Sequence, residues 1–156
     1  MPNDNPPPAP RSLEQRIADT QRRLTQDIDV WVASADPTTG TPYLVPLSFL
    51  WDGTTVLIST PAASPTARNL TATGQARLGL GLTRDVVLVE GTVTVHTAAE
   101  LGDATCDAFA VKTEFDPREL RSEYGWFRVT PRRVQAWREV DELTGRELMR
   151  DGAWLA

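Results

Sequence analysis

Six runs rich in β-branched and aromatic residues constrain the fold more than any other feature of the sequence. Short groups of turn residues such as "PTTG" and "DG" separate these runs, as expected for consecutive strands. The "DG" pair between Trp51 and Thr54 favours a tight hairpin, so neighbouring strands are predicted to be antiparallel. The runs are "DVWVASAD", "PYLVPLSFLWDG", "TTVLIST", "ARLGLGL", "VVLVEGTVTVH" and "WFRVTPRRVQAWREV". Closing such a sheet removes its exposed edges, and we therefore predict a small antiparallel β-barrel.

Helices are predicted before and between these strands. The segment "SLEQRIADTQRRL" begins at Ser12, has Gln15 three residues on as in a capping box, and repeats apolar residues at helical spacing. The segment "SPTARNLTATG" falls between the third and fourth strands. The longer segment "LGDATCDAFAVKTEFDPRELRSEYG" precedes the last strand and contains a second helix start at Asp116 and Pro117.

The length of 156 residues is typical of one domain. The opening "MPNDNPPPAP" contains five prolines and has no apolar periodicity. We therefore predict a disordered Pro-rich tail over residues 1–11 that adds nothing to the core, and a single folded domain over residues 12–156.

Charge and composition exclude several classes of function. The 16 Lys and Arg residues against 21 Asp and Glu residues give a net charge of -5, which opposes a general nucleic-acid or anionic-membrane surface. Lys112 is the only lysine, so any anionic ligand must be held by a few placed arginines. The single Cys106 and the lack of a signal sequence favour a cytoplasmic location, and no apolar run approaches the ~20 residues of a membrane-spanning helix.

The stretch "SPTARNL" has two interpretations. Ser64 is a good N-cap and Pro65 a good first helical residue, so the stretch can simply begin a helix. A helix N-terminus also offers unpaired N–H groups and a favourable dipole, and Thr66, Arg68 and Asn69 would add donors for a phosphate. Spacing alone favours the simple cap, because such caps are common in helices that bind nothing.

No catalytic residue can be identified from the sequence. His96 is the only histidine, so a His-based metal site or a serine-type triad has too few parts. Cys106 is predicted to be buried, and Glu90 to form a structural hydrogen bond. Arg84 and Asp85 are expected to form a local ion pair in a turn.

The ordered set "TPYLVPLSFLWDG", "VLIST", "SPTARNL", "ARLGLGL", "VEGTV" and "VTPRRVQAWRE" resembles the split β-barrel flavin-binding family that includes pyridoxamine 5'-phosphate oxidase. The similarity is closest to the branch of enzymes dependent on the deazaflavin coenzyme F-420, and it spans about residues 24 to 156. The resemblance implies a mainly β fold, a six-stranded antiparallel split barrel of Greek-key topology with flanking α-helices.

The resemblance also implies a cofactor, either coenzyme F-420 or FMN. In the family, a phosphate is held between the third strand and the following helix, and a second strand lies along the ring system. Many relatives have a lysine in the phosphate segment, and its absence here leaves Arg68 as the principal cation. The residues that inherit the phosphate role are Ser59, Thr60, Ser64, Thr66, Arg68 and Asn69. The residues that match the ring strand are Val45, Pro46, Leu47 and Ser48, which can equally be plain barrel wall.

The late segment extends the resemblance to a second subunit. Trp137 and Arg146 resemble a tryptophan and an arginine that pyridoxamine phosphate oxidases contribute to the flavin of the partner subunit. Without a ligand, Trp137 would be a core or interface aromatic and Arg146 a solvated charge. We expect a homodimer, also because the five tryptophans and the apolar strands provide more apolar surface than one small barrel interior holds.

These features together predict a flavin- or deazaflavin-dependent oxidoreductase that transfers hydride between the bound cofactor and an unknown small organic acceptor. Hydride chemistry belongs to the cofactor, so a site without a nucleophile or a metal suits this function. A non-catalytic module that binds or sequesters a flavin or deazaflavin is the alternative, and an apo structural dimer is the third possibility.

Overall fold

The predicted barrel is confirmed, because six antiparallel strands form a closed ring. The computed structural model describes Pro6 and residues 8–156. Neighbouring strands follow the order β3-β2-β1-β4-β5-β6, and β6 pairs back with β3 to close the ring. The order of the first four strands is that of a Greek key. The ring strands are β1 (Asp29–Ala35), β2 (Pro42–Trp51), β3 (Val56–Pro61), β4 (Gln75–Leu80), β5 (Val86–His96) and β6 (Tyr124–Trp137).

The helices lie outside the ring and at its ends. Ser12 caps the first helix, as predicted, and its hydroxyl accepts the N–H of Gln15. The Asp116–Pro117 start produces only one 3-10 turn, Pro117–Glu119, because the preceding helix has already ended at Glu114 in a left-handed conformation. The helices are α1 (Leu13–Gln26), α2 (Pro65–Thr73), α3 (Ala98–Leu101) and α4 (Asp103–Thr113).

A C-terminal hairpin extends the sheet beyond the predicted strands. It consists of β7 (Glu147–Arg150) and β8 (Ala153–Trp154), and Met149 of β7 pairs with Val134 of β6. The sequence predicts a last strand that runs to residue 140, whereas β6 ends at Trp137 and a 3-10 turn follows. Strands of four and two residues are too short to produce a readable alternation.

The core fills the barrel interior. Inward-facing side chains from five of the ring strands are fully buried there, namely Val32, Phe49, Ile58, Val89 and Val129. A smaller cluster packs α4 against the outer side of the barrel, where Phe109 meets Trp126 edge to face at 5.1 Å. Cys106 belongs to this smaller cluster and is buried as predicted, and burial raises the pKa of its thiol.

Arg11, the last residue of the predicted tail, is buried against the folded domain. The Arg11 side chain is 6% exposed, and its Nη2 donates to Glu142 Oε2 at 2.8 Å. Its Nη1 donates to Asp19 Oδ2 at 3.1 Å. We call Arg11, Asp19 and Glu142 the buried ion cluster. Residues 1–5 and 7 of the predicted tail lie outside the described residues.

Candidate functional site

Helix α2 packs against one end of the barrel, in contact with β1, β2, β3 and β5. Ala67 and Leu70 are buried on its inner face. The Ser64 hydroxyl accepts the N–H of Ala67 at 3.1 Å, and Gly74 ends the helix in a left-handed conformation at φ 64. Both ends of α2 are therefore fixed, and so is the position of every side chain that it presents.

A cavity of about 440 Å³ lies between α2 and the loop that joins β1 to β2. We call it the α2 cavity. The helix contributes two of the predicted phosphate ligands to its wall, the loop contributes a carboxylate and hydroxyls, and the start of β2 contributes an aromatic ring. The residues that line it include Asp36, Thr39, Tyr43, Arg68 and Asn69.

Arg68 is the cation of the α2 cavity. Its side chain is exposed, and its Nη1 donates to the carbonyl oxygen of Ala63. Arg68 forms no ion pair with any other described residue, so most of its five N–H donors are available. Asn69 is 6% exposed, and its amide nitrogen donates to Ser34 Oγ of β1 at 3.2 Å. The helix therefore brings an available guanidinium next to a fixed amide.

Asp36 lies across the α2 cavity and was not predicted from the sequence. Its Oδ1 accepts the N–H of Thr38 at 2.8 Å and that of Thr39 at 2.9 Å. The backbone bonds from Thr39 and Thr38 hold the pKa of Asp36 below its usual range, and the positive charge of Arg68 adds to this effect. The turn residues "DPTTG" were the only signal, and they indicate a turn but not what the turn faces.

The remaining predicted phosphate ligands lie beneath the start of α2. Thr66 is 1% exposed, and its Oγ1 has no hydrogen-bond partner in the described part of the chain. Ser59 Oγ donates to the carbonyl of Gly125 at 2.9 Å, and Thr60 Oγ1 lies 3.4 Å from Ser64 Oγ. Thr66 therefore retains an unused donor, whereas the other hydroxyls already have protein partners.

The four predicted ring-strand residues do not form one surface. Val45 pairs with Val32 and packs on the core, and Leu47 likewise pairs inward with Val30. Pro46 and Ser48 point to the opposite face of β2. The Ser48 hydroxyl donates to Asp29 Oδ1 at 2.8 Å. Two of the four are therefore barrel wall, while the other two face outward.

Trp137 and Arg146 form a pair of their own at the far end of β6. The guanidinium carbon of Arg146 lies 5.4 Å from the centre of the Trp137 ring. Ser59, one of the predicted phosphate residues, pairs with Trp126 near the start of β6. Trp137 lies at the end of β6 and pairs with Val86. At the rise of an extended strand, the two ends of β6 are on the order of 30 Å apart. Within one chain, this pair therefore does not join the α2 cavity.

A comparison with models of protein families shows which family this chain belongs to. The model of the pyridoxamine 5'-phosphate oxidase family matches residues 18–138, which include the later part of α1, all of α2 and the whole ring of strands. The chain belongs to this family. The predicted resemblance is thereby confirmed at the level of the family. A search of curated proteins found no match.

Solved structures confirm the family fold. An FAD-binding protein from Mesorhizobium loti is 18% identical with a TM-score of 0.62, covering 76% of this chain and 89% of that one. An F420 reductase is 16% identical with a TM-score of 0.61, covering 73% of this chain and 94% of that one. A protein of unknown function from Agrobacterium tumefaciens is 18% identical with a TM-score of 0.67, covering 87% of this chain and 60% of that one.

The other candidate residues of this family member have structural contacts. Arg77 Nη2 lies 2.7 Å from Glu90 Oε1, so Glu90 forms an ion pair with its neighbour across the strands. His96 Nε2 lies 2.8 Å from Thr94 Oγ1. The predicted pairing of Arg84 with Asp85 is wrong: Asp85 lies 3.4 Å from Arg23 and also approaches Arg11 and Arg138, because the turn folds onto α1.

The described residues contain no group of three or more His, Cys, Asp and Glu side chains placed to hold a metal ion. Among them, no helix has both the length and the apolar character required to cross a membrane.

Proposed function

We propose that the chain is a flavin- or deazaflavin-dependent oxidoreductase that transfers hydride between a bound FMN or coenzyme F-420 and a small organic acceptor. The observation that carries this proposal is the α2 cavity, where an available arginine lies on the first turns of a helix in a flavin-binding type of barrel. A guanidinium near the positive end of a helix dipole suits a phosphate.

The residues around α2 fit a phosphate-bearing cofactor on their own chemistry. The buried Thr66 hydroxyl lacks a partner in the described part of the chain, and such an orphaned group is costly unless a ligand or water satisfies it. Arg68 would hold the phosphate through charge-assisted hydrogen bonds, and Asn69 would keep that wall of the cavity in place. When bound, the flavin or deazaflavin ring supplies the hydride chemistry, and the protein binds, orients and shields it.

We propose further that the protein is a homodimer. Trp31 is 51% exposed, Leu44 is 60% exposed and Leu88 is 38% exposed. Trp31 pairs with Gly79 of β4, which in turn pairs with Leu88 of β5, so these side chains share the outer face of the sheet. An apolar face of this kind favours burial against a second copy. In a dimer, a partner subunit would supply the Trp137 and Arg146 pair that one chain keeps away from its own α2 cavity.

The names of two similar structures agree with this function. One is an F420 reductase and the other an FAD-binding protein. Because these two proteins have low sequence identity to this chain, they show only that the fold is shared. Hydride transfer by this chain is therefore a proposal. Coenzyme F-420 ranks slightly ahead of FMN, on the sequence resemblance to the deazaflavin branch.

Titration of the purified protein with FMN and with coenzyme F-420, followed by ring fluorescence, tests binding. We expect micromolar or tighter binding of one of them. Turnover is then measured by mixing the protein with the reduced cofactor and following its absorbance with quinone or enone acceptors. Oxidation of the reduced cofactor at the rate of the protein-free control, for every acceptor, would contradict the enzymatic proposal.

A binding module without turnover is the second candidate. Its support is that the described lining of the α2 cavity contains no histidine or cysteine, and that its carboxylate, Asp36, is held by two backbone N–H groups. Tight binding of a cofactor in the titration without acceptor-dependent oxidation would identify this function.

A further inference from the structure

The charges on the wall of the α2 cavity nearly cancel. Among the described residues that line it, Arg68 and Asp36 are the ionised ones, and Thr39, Tyr43 and Asn69 are neutral. The N-terminus of α2 adds the equivalent of about half a positive charge. The net positive charge offered to a ligand is therefore smaller than a site with one arginine and no carboxylate would offer.

The carboxylate of Asp36 is fixed where it lies. Two backbone N–H groups, from Thr38 and Thr39, bind its Oδ1, so the side chain cannot swing away when a ligand enters without losing both bonds. The negative charge of Asp36 consequently stays in the α2 cavity whether or not a ligand is bound.

No lysine compensates for this carboxylate. Lys112 is the only lysine of the chain. Its Nζ lies 3.8 Å from the centre of the Phe49 ring and donates to the carbonyl of Leu24, in a different part of the molecule. Thr66 stands at the start of α2 with a neutral hydroxyl. Arg68 is thus the only full positive charge among the described residues of the α2 cavity.

We propose that the α2 cavity selects a singly charged phosphodiester over a doubly charged phosphomonoester, with Asp36 as the specificity-determining residue. This inference rests on the proposed function and narrows its cofactor. A phosphomonoester carries close to two charges above its second pKa of about 6, whereas a diester carries one. One arginine and a helix N-terminus, offset by one carboxylate, match the diester.

The two candidate cofactors differ in this property. FMN ends in a phosphomonoester, whereas coenzyme F-420 bears its phosphate as a diester that links the ring portion to a tail. FAD attaches its flavin through a pyrophosphate that carries two negative charges, so it does not gain from this selection. The charge of the α2 cavity therefore favours coenzyme F-420 over FMN, on grounds independent of sequence resemblance.

Three ligands with the same flavin ring form a charge series that tests the inference. Riboflavin carries no phosphate, the monomethyl phosphate ester of FMN carries one charge, and FMN carries two at pH 8. Each is titrated by fluorescence into the native protein and into the Asp36→Asn variant. Asparagine keeps an oxygen that can accept the Thr38 and Thr39 N–H bonds, so the loop is preserved.

The native protein is expected to bind the methyl ester more tightly than FMN. Because a Coulomb energy is proportional to the ligand charge, Asp36→Asn should improve FMN binding about tenfold, methyl ester binding about threefold, and riboflavin binding not at all. Asp151→Asn is the matched control. It removes the same charge from the exposed turn between β7 and β8, where φ is 50 and asparagine is tolerated, and it should change none of the three affinities.

Coenzyme F-420 is titrated alongside FMN, and it should bind more tightly than FMN. FMN binding tighter than both coenzyme F-420 and the methyl ester, or equal gains for all three flavins in Asp36→Asn, would overturn the inference while leaving the proposed function in place. Absence of binding by every flavin and by the deazaflavin would overturn both.

Discussion

The buried ion cluster and the α2 cavity use arginine in opposite ways. Arg11 donates three hydrogen bonds to Glu142 and one to Asp19, and its side chain is 6% exposed. Arg68 is exposed and donates to a single backbone carbonyl, that of Ala63. The N–H donors of Arg11 are bound to carboxylates of the fold, whereas most N–H donors of Arg68 have no protein acceptor among the described residues.

This difference separates structural charge from charge suited to a ligand. A buried guanidinium must be matched by carboxylates and hydrogen bonds, because an uncompensated buried charge is very costly. An exposed one contributes little to stability and can therefore be reserved for binding. Substitution of the two arginines should consequently separate stability from ligand affinity.

The largest effect is expected for Arg11→Ala. This variant leaves Glu142 buried without its main partner, which should lower the free energy of unfolding by about 3 kcal/mol. Urea denaturation followed by tryptophan fluorescence measures the loss. The double variant Arg11→Met with Glu142→Leu removes both charges and should recover most of it. A loss below about 1 kcal/mol for the single variant would show that the cluster is not a structural requirement.

Acid should weaken the same cluster. The hydrogen bond from Arg11 lowers the pKa of Glu142 from 4.5 to about 2. A lowered pKa stabilises the fold at pH values above that of the unfolded group, so the contribution is complete above pH 4.5 and is lost as the pH falls toward 2. The loss from this carboxyl should approach roughly 3 kcal/mol, because each pKa unit is worth about 1.4 kcal/mol.

Denaturant midpoints measured from pH 6 to pH 2 test this dependence. Glu142→Gln should be less stable at pH 6 and should lose less stability on acidification. An unchanged slope in this variant would assign the acid sensitivity to other carboxyl groups.

Arg68→Ala should affect binding rather than folding. Loss of a charge-assisted contact to phosphate is expected to cost about 1.5 to 3 kcal/mol of binding, or roughly tenfold or more in dissociation constant. The melting temperature should hardly change, and it can rise slightly because an arginine opposes the positive end of the helix dipole. Titration with the cofactor that the native protein binds measures the dissociation constant, and a thermal melt of the same sample measures the melting temperature.

Ser64→Ala is the matched variant on the same helix. Its hydroxyl caps α2 by accepting the N–H of Ala67, so its loss should cost about 1 kcal/mol of stability. Unchanged affinity in Arg68→Ala together with a lowered melting temperature would reverse the assignment, leaving "SPTARNL" as a helix cap only.

The smallest effect is expected for Thr66→Val. The two side chains have the same shape, and the Thr66 hydroxyl has no partner among the described residues, so valine should stabilise the free protein by up to about 1 kcal/mol. If the hydroxyl binds phosphate, affinity for the cofactor should fall a few fold at the same time. Improved stability without any change in affinity would remove Thr66 from the site.

The fold could largely be predicted because its signals are local. The six strand runs, the Ser12 cap and the Ser64 cap each depend on a few consecutive residues. The β7–β8 hairpin was missed because its strands are too short to show an alternation, and their partner Val134 is distant in sequence. Arg11 was assigned to the tail because its partner Glu142 lies at the other end of the chain.

The site was predicted only in part, for the same reason. Spacing placed Arg68 and Asn69 on a helix start, whereas their phosphate role came from the resemblance and stays a prediction. Asp36 could not, because its importance comes from the β1–β2 loop lying over α2, which is a tertiary contact. The alternation of Val45 and Pro46 was foreseeable from the period of a strand, but the resemblance had grouped them together.

The pairing of β3 with β6 has a kinetic consequence. It joins Val56 to Val129, the closure that turns an open sheet into a ring, and it brings together segments separated by nearly half of the chain. Bringing such distant segments together costs conformational entropy before the new contacts stabilise the chain, and barrels of this kind are therefore slow to fold. Until they meet, both strands present unpaired edges. Aggregation through these edges competes with ring closure during refolding. The fraction of protein lost to aggregation should therefore rise with the protein concentration.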